Sequence, residues 1–385
     1  MNTTAVGVAL VGCGNFARWQ HLPNLARLPQ ADLRWLCDRD LDLAEELAER
    51  HGCRACKDAA EVFADPRVQA VVIAVRDELQ AELCQAALAH GKHVYVEKPV
   101  GISPEQVQAV VSAADRAGRQ VAVGFQKRCA PAYLRAKELL DADGGVYNLS
   151  LRMCDDAWRW AHGYEPGALL VHDCCHLFDL AAHLCGSPVV EVIARRARPD
   201  DEVVLLRMAC DAVVTLTNSG HGTMDMPKER LEAISARGGV SVEDFCELHA
   251  YGYEGVDPVE RFAGSSHPDR PLLPRYLLAD QGAAGLASIR RIAWQLRQDQ
   301  ALGRLDGRPD AAEAEAFIAA TIPNFLREQG WLAAMREFLA RCAGAAPQLP
   351  LAAPSDALAA SRVAAAALRS LSSGSCELLG EHHVS

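Results

Sequence analysis

The sequence predicts an α/β fold class: a doubly wound parallel sheet in the N-terminal third, then an α+β region with a large open, mainly antiparallel sheet. Up to residue 127, short apolar runs alternate with helical patterns. The run at 68–75 (VQAVVIAV) is apolar almost throughout, which is typical of a strand buried on both faces of a parallel sheet. Beyond residue 127, alternating apolar and polar residues predict strands with one covered face.

The individual elements follow from the same patterns. In the first part, the predicted strands are 6–11, 32–38, 68–75, 93–96 and 120–125, and the predicted helices are 41–49, 79–90 and 103–117, the last with Ser103 as its N-cap. In the second part, strands are predicted at 146–152, 189–194, 203–208, 212–218 and 230–236, a loop at 255–275, and helices at 283–298, 310–339 and 355–371. We expect Ser355 to cap the last helix and Gly374 to end it.

Length and composition are consistent with this division. A chain of 385 residues predicts two domains, which we place at 1–127 and 128–385, with helix 355–371 able to pack back on the first. Half of the residues are apolar, enough for more than one core. The net charge is −11 and no basic stripe occurs, so no nucleic-acid partner is expected.

Neither a membrane nor a metal is expected. No apolar run approaches the roughly 20 residues that span a bilayer, and the N-terminus lacks a signal-peptide pattern, so a cytoplasmic location is expected. The 14 cysteines are scattered along the chain, which favours reduced thiols. Cys53 and Cys56 form a C-x-x-C pair, but no second pair follows at zinc-site spacing.

A glycine turn follows the first predicted strand. Residues 12–17 (GCGNFA) match the G-x-G-x-x-A pattern, in which Gly12 permits a tight turn and Gly14 lets backbone amides approach a pyrophosphate. The acidic Asp38 closes the next strand. This combination predicts a Rossmann dinucleotide site, the alternative being a glycine turn without a ligand. The expected cofactor contacts are Gly12, Gly14, Asn15, Phe16, Asp38, Arg39, Val75, Arg76, Glu97 and Lys98.

The choice of cofactor depends on the end of the second strand. The Asp38 carboxylate would accept hydrogen bonds from the adenosine ribose and repel a 2′-phosphate, which favours NAD. Arg39, its neighbour, could instead pair with that phosphate. We therefore predict NAD and keep NADP as the alternative.

Several segments resemble the glucose-fructose oxidoreductase / inositol dehydrogenase / MocA family of oxidoreductases. They are GCGNFARWQHLPNL near the N-terminus, HVYVEKP at 93–99, VAVGFQKR at 121–128 and GALLVHDCCHLFDLAAHLCG at 167–186. The resemblance covers nearly the whole chain, as far as the terminal helix. It implies that the lysine of E-K-P lies by the nicotinamide and that the histidine of the later motif carries a proton. These roles fall on Lys98 and His176.

The residues themselves agree with these roles. Lys98 follows a buried strand at the carboxyl edge of the sheet, where open α/β folds bind ligands, and a lysine there can polarise a carbonyl; its alternative is a plain surface charge. Oxidation of an alcohol needs a base with a pKa near neutrality, and His176 is the natural candidate for this base. As a histidine on an apolar helix, His176 could otherwise be a core residue.

The chain also departs from the family pattern. The family often has an aspartate four residues before the catalytic histidine, where this chain has His172, followed by Asp173. On one helix His172 and His176 would share a face, so a histidine pair or the shifted Asp173 could replace the aspartate. The pair could also bind a metal, but few carboxylates surround it, and we predict none.

After strand 68–75, Arg76, Asp77 and Gln80 replace the family's usual Pro-Asn and later histidine. Arg76 could contact an anionic or polyhydroxylated substrate or could pair with Asp77.

The prediction of the substrate class rests mainly on the resemblance, which implies a polyhydroxylated substrate such as a sugar, a cyclitol or an amino-sugar. The candidate substrate contacts are Gln126, Arg128, Trp158, Trp160 and His176. The leading prediction is an NAD(P)-dependent dehydrogenase or ketoreductase acting on CH–OH groups. The alternatives are an NAD-retaining glycosidase that acts by transient oxidation and elimination, and a non-catalytic NAD(P)-binding sensor. By analogy with such folds, a homodimer or homotetramer is expected.

Overall fold

The structure is a computed structural model that describes residues 5–155, 165, 167–223, 225–263, 275–320 and 328–380. The chain divides into two compact units. The first comprises residues 1–129 and 330–365, and the second comprises residues 130–329 and 366–385. No helix in the described ranges combines the length and the apolar character that crossing a membrane requires.

The first unit contains a parallel sheet, and the predicted doubly wound fold is confirmed. Among the described residues its strands are β1 (Val6–Val11), β2 (Ala31–Cys37), β3 (Arg54–Cys56), β4 (Ala70–Ile73), β5 (His93–Val96) and β6 (Val121–Val123). Their order in the sheet is β3-β2-β1-β4-β5-β6, and each neighbouring pair is parallel. All carboxyl ends of the strands therefore meet at one edge.

Helices connect these strands. A π-helical turn (Ala17–His21) leads into α1 (Leu22–Arg27), and α2 (Leu41–His51), α3 (Ala59–Ala64), α4 (Asp77–Ala89) and α5 (Pro104–Ala117) follow. Ser103 caps α5 as predicted, because its side chain accepts a hydrogen bond from the Gln106 amide at 3.4 Å. The short elements β3 and α3 were not predicted, since elements of this length do not establish a hydrophobic period.

The second unit contains the predicted open, mainly antiparallel sheet. Its strands in the described ranges are β7 (Asn148–Cys154), β8 (Val189–Arg198), β9 (Asp201–Met208), β10 (Val213–Ser219), β11 (Glu229–Ile234), β12 (Gly239–Glu243), β13 (Glu247–Tyr251), β14 (Val259–Arg261) and β15 (Glu377–Leu378). The order is β14-β13-β12-β11-β7-β10-β9-β8-β15, with β10 and β7 parallel. The five predicted strands are present. The loop expected at 255–275 is wrong in part, because β14 pairs there with β13.

Helices of this unit include α6 (Pro131–Ala142), α7 (Leu169–His172), α8 (Cys175–Cys185), α9 (Arg275–Ala301) and α10 (Ala311–Ala320). The predicted helix 283–298 lies within α9, which has a non-helical residue at Gly282, where φ is 54° and ψ is −127°. Residues along β9 and β11 alternate between buried or half-buried and exposed positions, so one face of the sheet is buried. The open sheet therefore has an inner apolar face and an outer face.

The C-terminal helices differ from the prediction at one point. A single helix over 310–339 is wrong: α10 ends at Ala320, and α11 (Trp331–Cys342) begins after Gly330, whose φ of 93° is left-handed and interrupts a helix. The last helix, α12 (Pro354–Ser373), begins one residue before Ser355, so Ser355 does not occupy the N-cap position.

Candidate functional site

The glycine turn after β1 leaves one side open for a ligand. Gly12 has φ of 96°, and a Cβ atom there would lie 2.2 Å from the carbonyl oxygen of Ala74. A Cβ at Gly14 would meet no atom within 4 Å. A glycine is thus required at position 12, because the turn packs against the backbone that follows β4. Gly14 instead leaves open space in front of the helix N-terminus, where the amides have no partners within the helix.

Asp38 lies directly beside this turn. Its Oδ2 accepts a hydrogen bond from the Cys13 amide at 2.6 Å, and its Oδ1 accepts one from the Asp40 amide at 2.9 Å. The carboxylate is half-buried, while the neighbouring Arg39 is exposed. The structure therefore joins the predicted ribose-binding carboxylate to the predicted phosphate turn.

Two further turn residues were candidates. The Asn15 Oδ1 atom accepts a hydrogen bond from Arg18 at 2.5 Å. The exposed ring of Phe16 packs edge-on against His21 and against Trp331, with ring centroids 5.3 and 5.9 Å apart. These contacts fix the first turn of the helix that follows the glycines.

The E-K-P motif follows β5 and is fixed by buried hydrogen bonds. The Glu97 amide donates to the Ile73 carbonyl at 2.9 Å. Its Oε1 lies 3.0 Å from His21 Nε2, and its Oε2 accepts from the Lys98 amide at 3.3 Å. A Cβ at Gly124 would lie 2.6 Å from Glu97 Oε2, so the Gly124 backbone encloses the carboxylate.

His21 and Gly124 were not predicted as site residues. His21 belongs to the segment GCGNFARWQHLPNL, which carries the family resemblance, and this was the available signal. Gly124 directly follows β6 at the same edge of the sheet.

Lys98 is half-buried and precedes Pro99 through a cis peptide bond. The Gln80 side chain donates to the Pro99 carbonyl at 2.7 Å, which ties α4 to the motif. Val75 and Arg76 follow the neighbouring strand β4; Arg76 is exposed, and its Nε atom lies 3.9 Å from Glu78 Oε2. The turn, Val75 and Lys98 thus follow three adjacent strands, β1, β4 and β5.

Polar residues follow β6 in a short 3-10 helix at Gln126–Cys129. With its amide oriented to satisfy both neighbours, Gln126 donates to the Gly124 carbonyl at 2.7 Å and accepts from Trp331 Nε1 at 3.2 Å. Arg128 lies 3.3 Å from the Asp356 carboxylate at the start of α12. Gln126 and Arg128, two of the candidate substrate contacts, are therefore held by contacts within the first unit.

The histidine motif, which we define as residues 172–176 (HDCCH), lies in the second unit. His172 ends α7 and His176 lies in the first turn of α8, while Asp173 between them has a non-helical φ of −120° and ψ of −41°. The expected continuous helix is therefore interrupted at Asp173, and the His176 amide donates to the Asp173 carbonyl at 3.2 Å. Asp173 and His176 are buried, and His172 is half-buried.

Trp158 and Trp160 lie outside the described residues. Within the described part of the chain, no group of three or more His, Cys, Asp or Glu side chains is arranged to hold a metal ion. Burial raises the pKa of the Cys53 thiol to about 11 and also raises that of Cys56, which is typical of inert thiols.

The residues at the sheet edge fit a dinucleotide. Gly14 leaves space at a helix N-terminus, Asp38 lies beside it, and Lys98 follows a strand further along the edge. This arrangement defines the class of the protein: a Rossmann-type dinucleotide-binding protein with a second, sheet-forming unit.

Comparisons with known proteins agree with this class. Residues 6–125 match the sequence model of an oxidoreductase family with an NAD-binding Rossmann fold. The chain is 30% identical over 282 residues to "Inositol 2-dehydrogenase 2" of Saccharopolyspora erythraea, covering 70% of this chain and 76% of that protein.

Solved structures share the fold over nearly the full length. An oxidoreductase domain protein from Kribbella flavida has a TM-score of 0.72 at 21% identity and covers 98% of this chain and 100% of its own. An oxidoreductase from Agrobacterium radiobacter, solved with NAD+, L-tartaric acid and magnesium, has a TM-score of 0.71 at 19% identity and covers 97% of this chain and 98% of its own.

The chain belongs to the glucose-fructose oxidoreductase / inositol dehydrogenase / MocA family of oxidoreductases. It has an NAD-binding Rossmann domain, as predicted. Membership also confirms the prediction of an NAD-dependent dehydrogenase that acts on CH–OH groups.

Proposed function

We propose that the chain transfers a hydride between nicotinamide and the CH–OH or C=O carbon of a cyclitol, sugar or amino-sugar type substrate. The observation that carries this proposal is the order of groups along the sheet edge. Asp38 follows β2, Gly12 follows β1 and Lys98 follows β5. An adenosine at Asp38 and a pyrophosphate at Gly12 would direct the nicotinamide toward the side of Lys98.

The proposed chemistry divides between cofactor and protein. NAD+, held by the turn at Gly12 and Gly14 and by Asp38, would supply the acceptor for the hydride. Lys98 donates a hydrogen bond to the reacting oxygen and stabilises the charge that develops there. The hydroxyl proton must leave as the hydride does, and we assign its removal to His176, with His172 or Asp173 as the alternative.

The substrate class is supported by the relatives, whose names include inositol dehydrogenases. A cyclitol is therefore our first candidate. Gln126, Arg128, Trp158 and Trp160 remain proposed substrate contacts. Gln126 and Arg128 are both held by hydrogen bonds or ion pairs within the first unit, and we expect them to contact a substrate hydroxyl from these fixed positions.

A substrate screen tests the proposal. Cyclitols, sugars and their keto forms are assayed with NAD(H) and NADP(H), with myo-inositol and NAD+ as the first pair, and reduced nicotinamide is followed by absorbance. Turnover of one such pair is the expected result. Retained cofactor with released sugar and no accumulated NADH would favour the glycosidase alternative. Cofactor binding without any turnover would favour the sensor.

Substitutions test the assigned residues. Lys98→Ala should lower turnover by about a hundredfold or more and leave NADH affinity near the wild-type value. The exposed Lys57→Ala serves as the control. Comparing His172→Ala with His176→Ala identifies the proton carrier, and full activity in both would remove the histidine motif from the mechanism.

We also propose that the chain forms a homodimer or homotetramer through the outer face of the second sheet. Val203, Leu205 and Val213 share that face and are 50, 38 and 36% exposed, respectively. Ile234 and Tyr251 extend it across β11 and β13 and are also exposed. Light scattering should show an oligomer, and Leu205→Glu should shift the chain toward the monomer.

A further inference from the structure

A carboxylate in the hairpin between β8 and β9 accepts hydrogen bonds from the segment that leads into the histidine motif. Asp200 Oδ2 accepts one from the Gly167 amide at 3.0 Å, and Asp200 Oδ1 accepts one from the Leu169 amide at 3.1 Å. Leu169 is the first residue of α7, the short helix that ends at His172. Both carboxylate oxygens therefore bind the start of α7, where backbone amides have no partners within the helix.

Leu169 connects this carboxylate to the histidine motif through its own peptide groups. The Leu169 carbonyl accepts hydrogen bonds from the Asp173 and Cys174 amides, both at 2.9 Å. The Asp173 carbonyl in turn accepts the hydrogen bond from the His176 amide at 3.2 Å. An unbroken series of hydrogen bonds therefore runs from the Asp200 side chain to the backbone of His176.

The backbone of Asp200 is itself fixed. Its φ of 60° lies in the left-handed region, which aspartate tolerates better than most residues that have a side chain. Its carbonyl accepts a hydrogen bond from the Gly220 amide, directly after β10, at 2.6 Å. The His221 Nε2 atom lies 2.8 Å from the Pro199 carbonyl oxygen. The hairpin is thus bonded to the end of β10, and the carboxylate has a defined position.

Gly167 also contacts a second charged side chain of the same sheet. Its φ is 89°, and a Cβ atom there would lie 2.9 Å from Arg196 Nη2. Arg196 Nε donates to Glu202 Oε1 at 2.8 Å, and Asn218 Nδ2 donates to Glu202 Oε2 at 2.9 Å. The Glu202 side chain is fully buried. The Arg196 guanidinium is therefore held by β9 and β10, and it leaves room only for a glycine at position 167.

We propose that Asp200 is a positioning residue for proton transfer: its carboxylate fixes the start of α7 and, through Leu169, the backbone of the histidine motif. This inference rests on the proposed function, in which a residue of that motif removes the hydroxyl proton. A base must lie within hydrogen-bond reach of the proton that it removes. A displacement of about 1 Å can lower the rate by about a hundredfold. Because α7 has only four residues, few bonds within the helix hold it in place.

Kinetics of Asp200→Gly test this role, because glycine adopts a left-handed φ without strain and the substitution removes only the side chain. On the substrate identified by the screen, kcat should fall by about tenfold or more, with a smaller change in KM and unchanged NADH affinity. Asp200→Asn keeps one acceptor oxygen and should restore part of the rate. Asp211→Gly is the matched control, since Asp211 lies in the hairpin between β9 and β10 with φ of 67° and a side chain that is 90% exposed.

Hydrogen exchange provides a measurement that needs no substrate. In Asp200→Gly, the amides of residues 167–176 should exchange about tenfold faster than in wild type, because opening of α7 no longer breaks two bonds to a carboxylate. Exchange in β9 and β10 should stay near the wild-type rate, which also shows that the second unit is folded. If Asp200→Gly folds poorly, Asp200→Asn provides both comparisons, with smaller changes in the same direction.

A double-mutant cycle shows whether Asp200 acts through the histidine motif. The background is whichever of His172→Ala and His176→Ala has the lower turnover. In that background, Asp200→Gly should lower kcat by no more than about twofold, because the group whose alignment it maintains is already absent. A loss as large as that in the wild-type background would overturn the inference.

The outcomes separate this inference from the proposed function. If Asp200→Gly keeps either kcat or the exchange of residues 167–176 within about twofold of wild type, while one histidine variant is slow, the inference is overturned and the proposed function stands. If both histidine variants are fully active, the assigned proton transfer is wrong, and the inference that rests on it is overturned as well.

Discussion

His21 and Glu97 are 76 residues apart in the sequence, yet His21 Nε2 lies 3.0 Å from Glu97 Oε1 inside the first unit. His21 ends the π-helical turn that follows the phosphate glycines, and Glu97 precedes Lys98. One hydrogen bond thus connects the helical turn that follows the glycines with the motif that contains the lysine. The geometry of Lys98 therefore depends on the position of that helical turn.

The first prediction concerns this connection. Glu97→Gln should lower turnover by about tenfold or more, since the Lys98 amide loses a carboxylate acceptor and the lysine loses its alignment. Gly124→Ala should have a similar effect, because its methyl group would lie 2.6 Å from Glu97 Oε2. Steady-state kinetics and NADH titration measure both. The exposed Glu105→Gln is the control, and unchanged turnover in both variants would refute a role for this connection.

The second prediction separates two glycines of the turn. Gly12→Ala should destabilise the fold by about 2 kcal/mol or more, because φ is positive and the methyl group would collide with the Ala74 carbonyl. Gly14→Ala should fold normally but lose about tenfold or more in NADH affinity, since its methyl group would occupy the cofactor's approach. Urea unfolding and fluorescence titration distinguish the two. Normal NADH affinity in Gly14→Ala would contradict the proposed phosphate site.

The third prediction concerns the choice of cofactor. Asp38→Asn keeps an acceptor for the Cys13 amide but removes the negative charge. NADH affinity should fall by about tenfold, and NADPH affinity should rise relative to it because the 2′-phosphate is no longer repelled. Dissociation constants for both cofactors are the measurement. A wild-type chain that already prefers NADPH tenfold would show that the prediction of NAD as the preferred cofactor is wrong.

The fourth prediction concerns the pair of Arg290 and Asp244, whose side chains are both 2% exposed and 2.9 Å apart. Removing one partner with Arg290→Met should cost about 3–5 kcal/mol of unfolding free energy, because the remaining charge stays buried. The exposed pair of Arg308 and Asp310 offers a control: Arg308→Met should have no measurable effect. Equal unfolding midpoints for both variants would argue against the importance of the buried pair.

The fifth prediction concerns stability at acid pH. Hydrogen bonds from the Arg237 amide, the Ser235 hydroxyl and the Arg237 guanidinium lower the pKa of Asp143 to about 2. An unfolded aspartate has a pKa of about 3.9. The contribution to stability is therefore present above about pH 4 and is lost as pH falls toward about 2.

Asp143→Asn should lower the unfolding midpoint at neutral pH, and its difference from wild type should shrink between about pH 4 and pH 2. Urea unfolding across this range is the measurement. The exposed Asp115→Asn provides a comparison in the first unit. A difference that stays constant with pH would show that Asp143 does not contribute through its ionised form.

The local pattern of apolar and turn residues was sufficient to predict most of the strands and helices of the first unit. The strands β1 and β5 occupy the predicted ranges 6–11 and 93–96, because an apolar run between turn residues has few other ways to be buried. The glycine turn and Asp38, which were both predicted from the sequence, lie side by side, since each follows a parallel strand and such strands end at one edge. Short elements such as β3 were missed because three residues carry no period.

The sequence by itself determined the α/β fold class, most of the strands of the first unit and the glycine turn, and it identified Lys98 and the histidine motif as candidates. The tertiary structure alone decided the pairs His21 with Glu97 and Lys228 with Asp155, and the break in the helix at Asp173. The physical reason is that the paired residues lie about 70 positions or more apart in the sequence. The break in the helix, in turn, depends on the elements that pack around it. The energy of such contacts exists only after the sheets have brought the strand ends together.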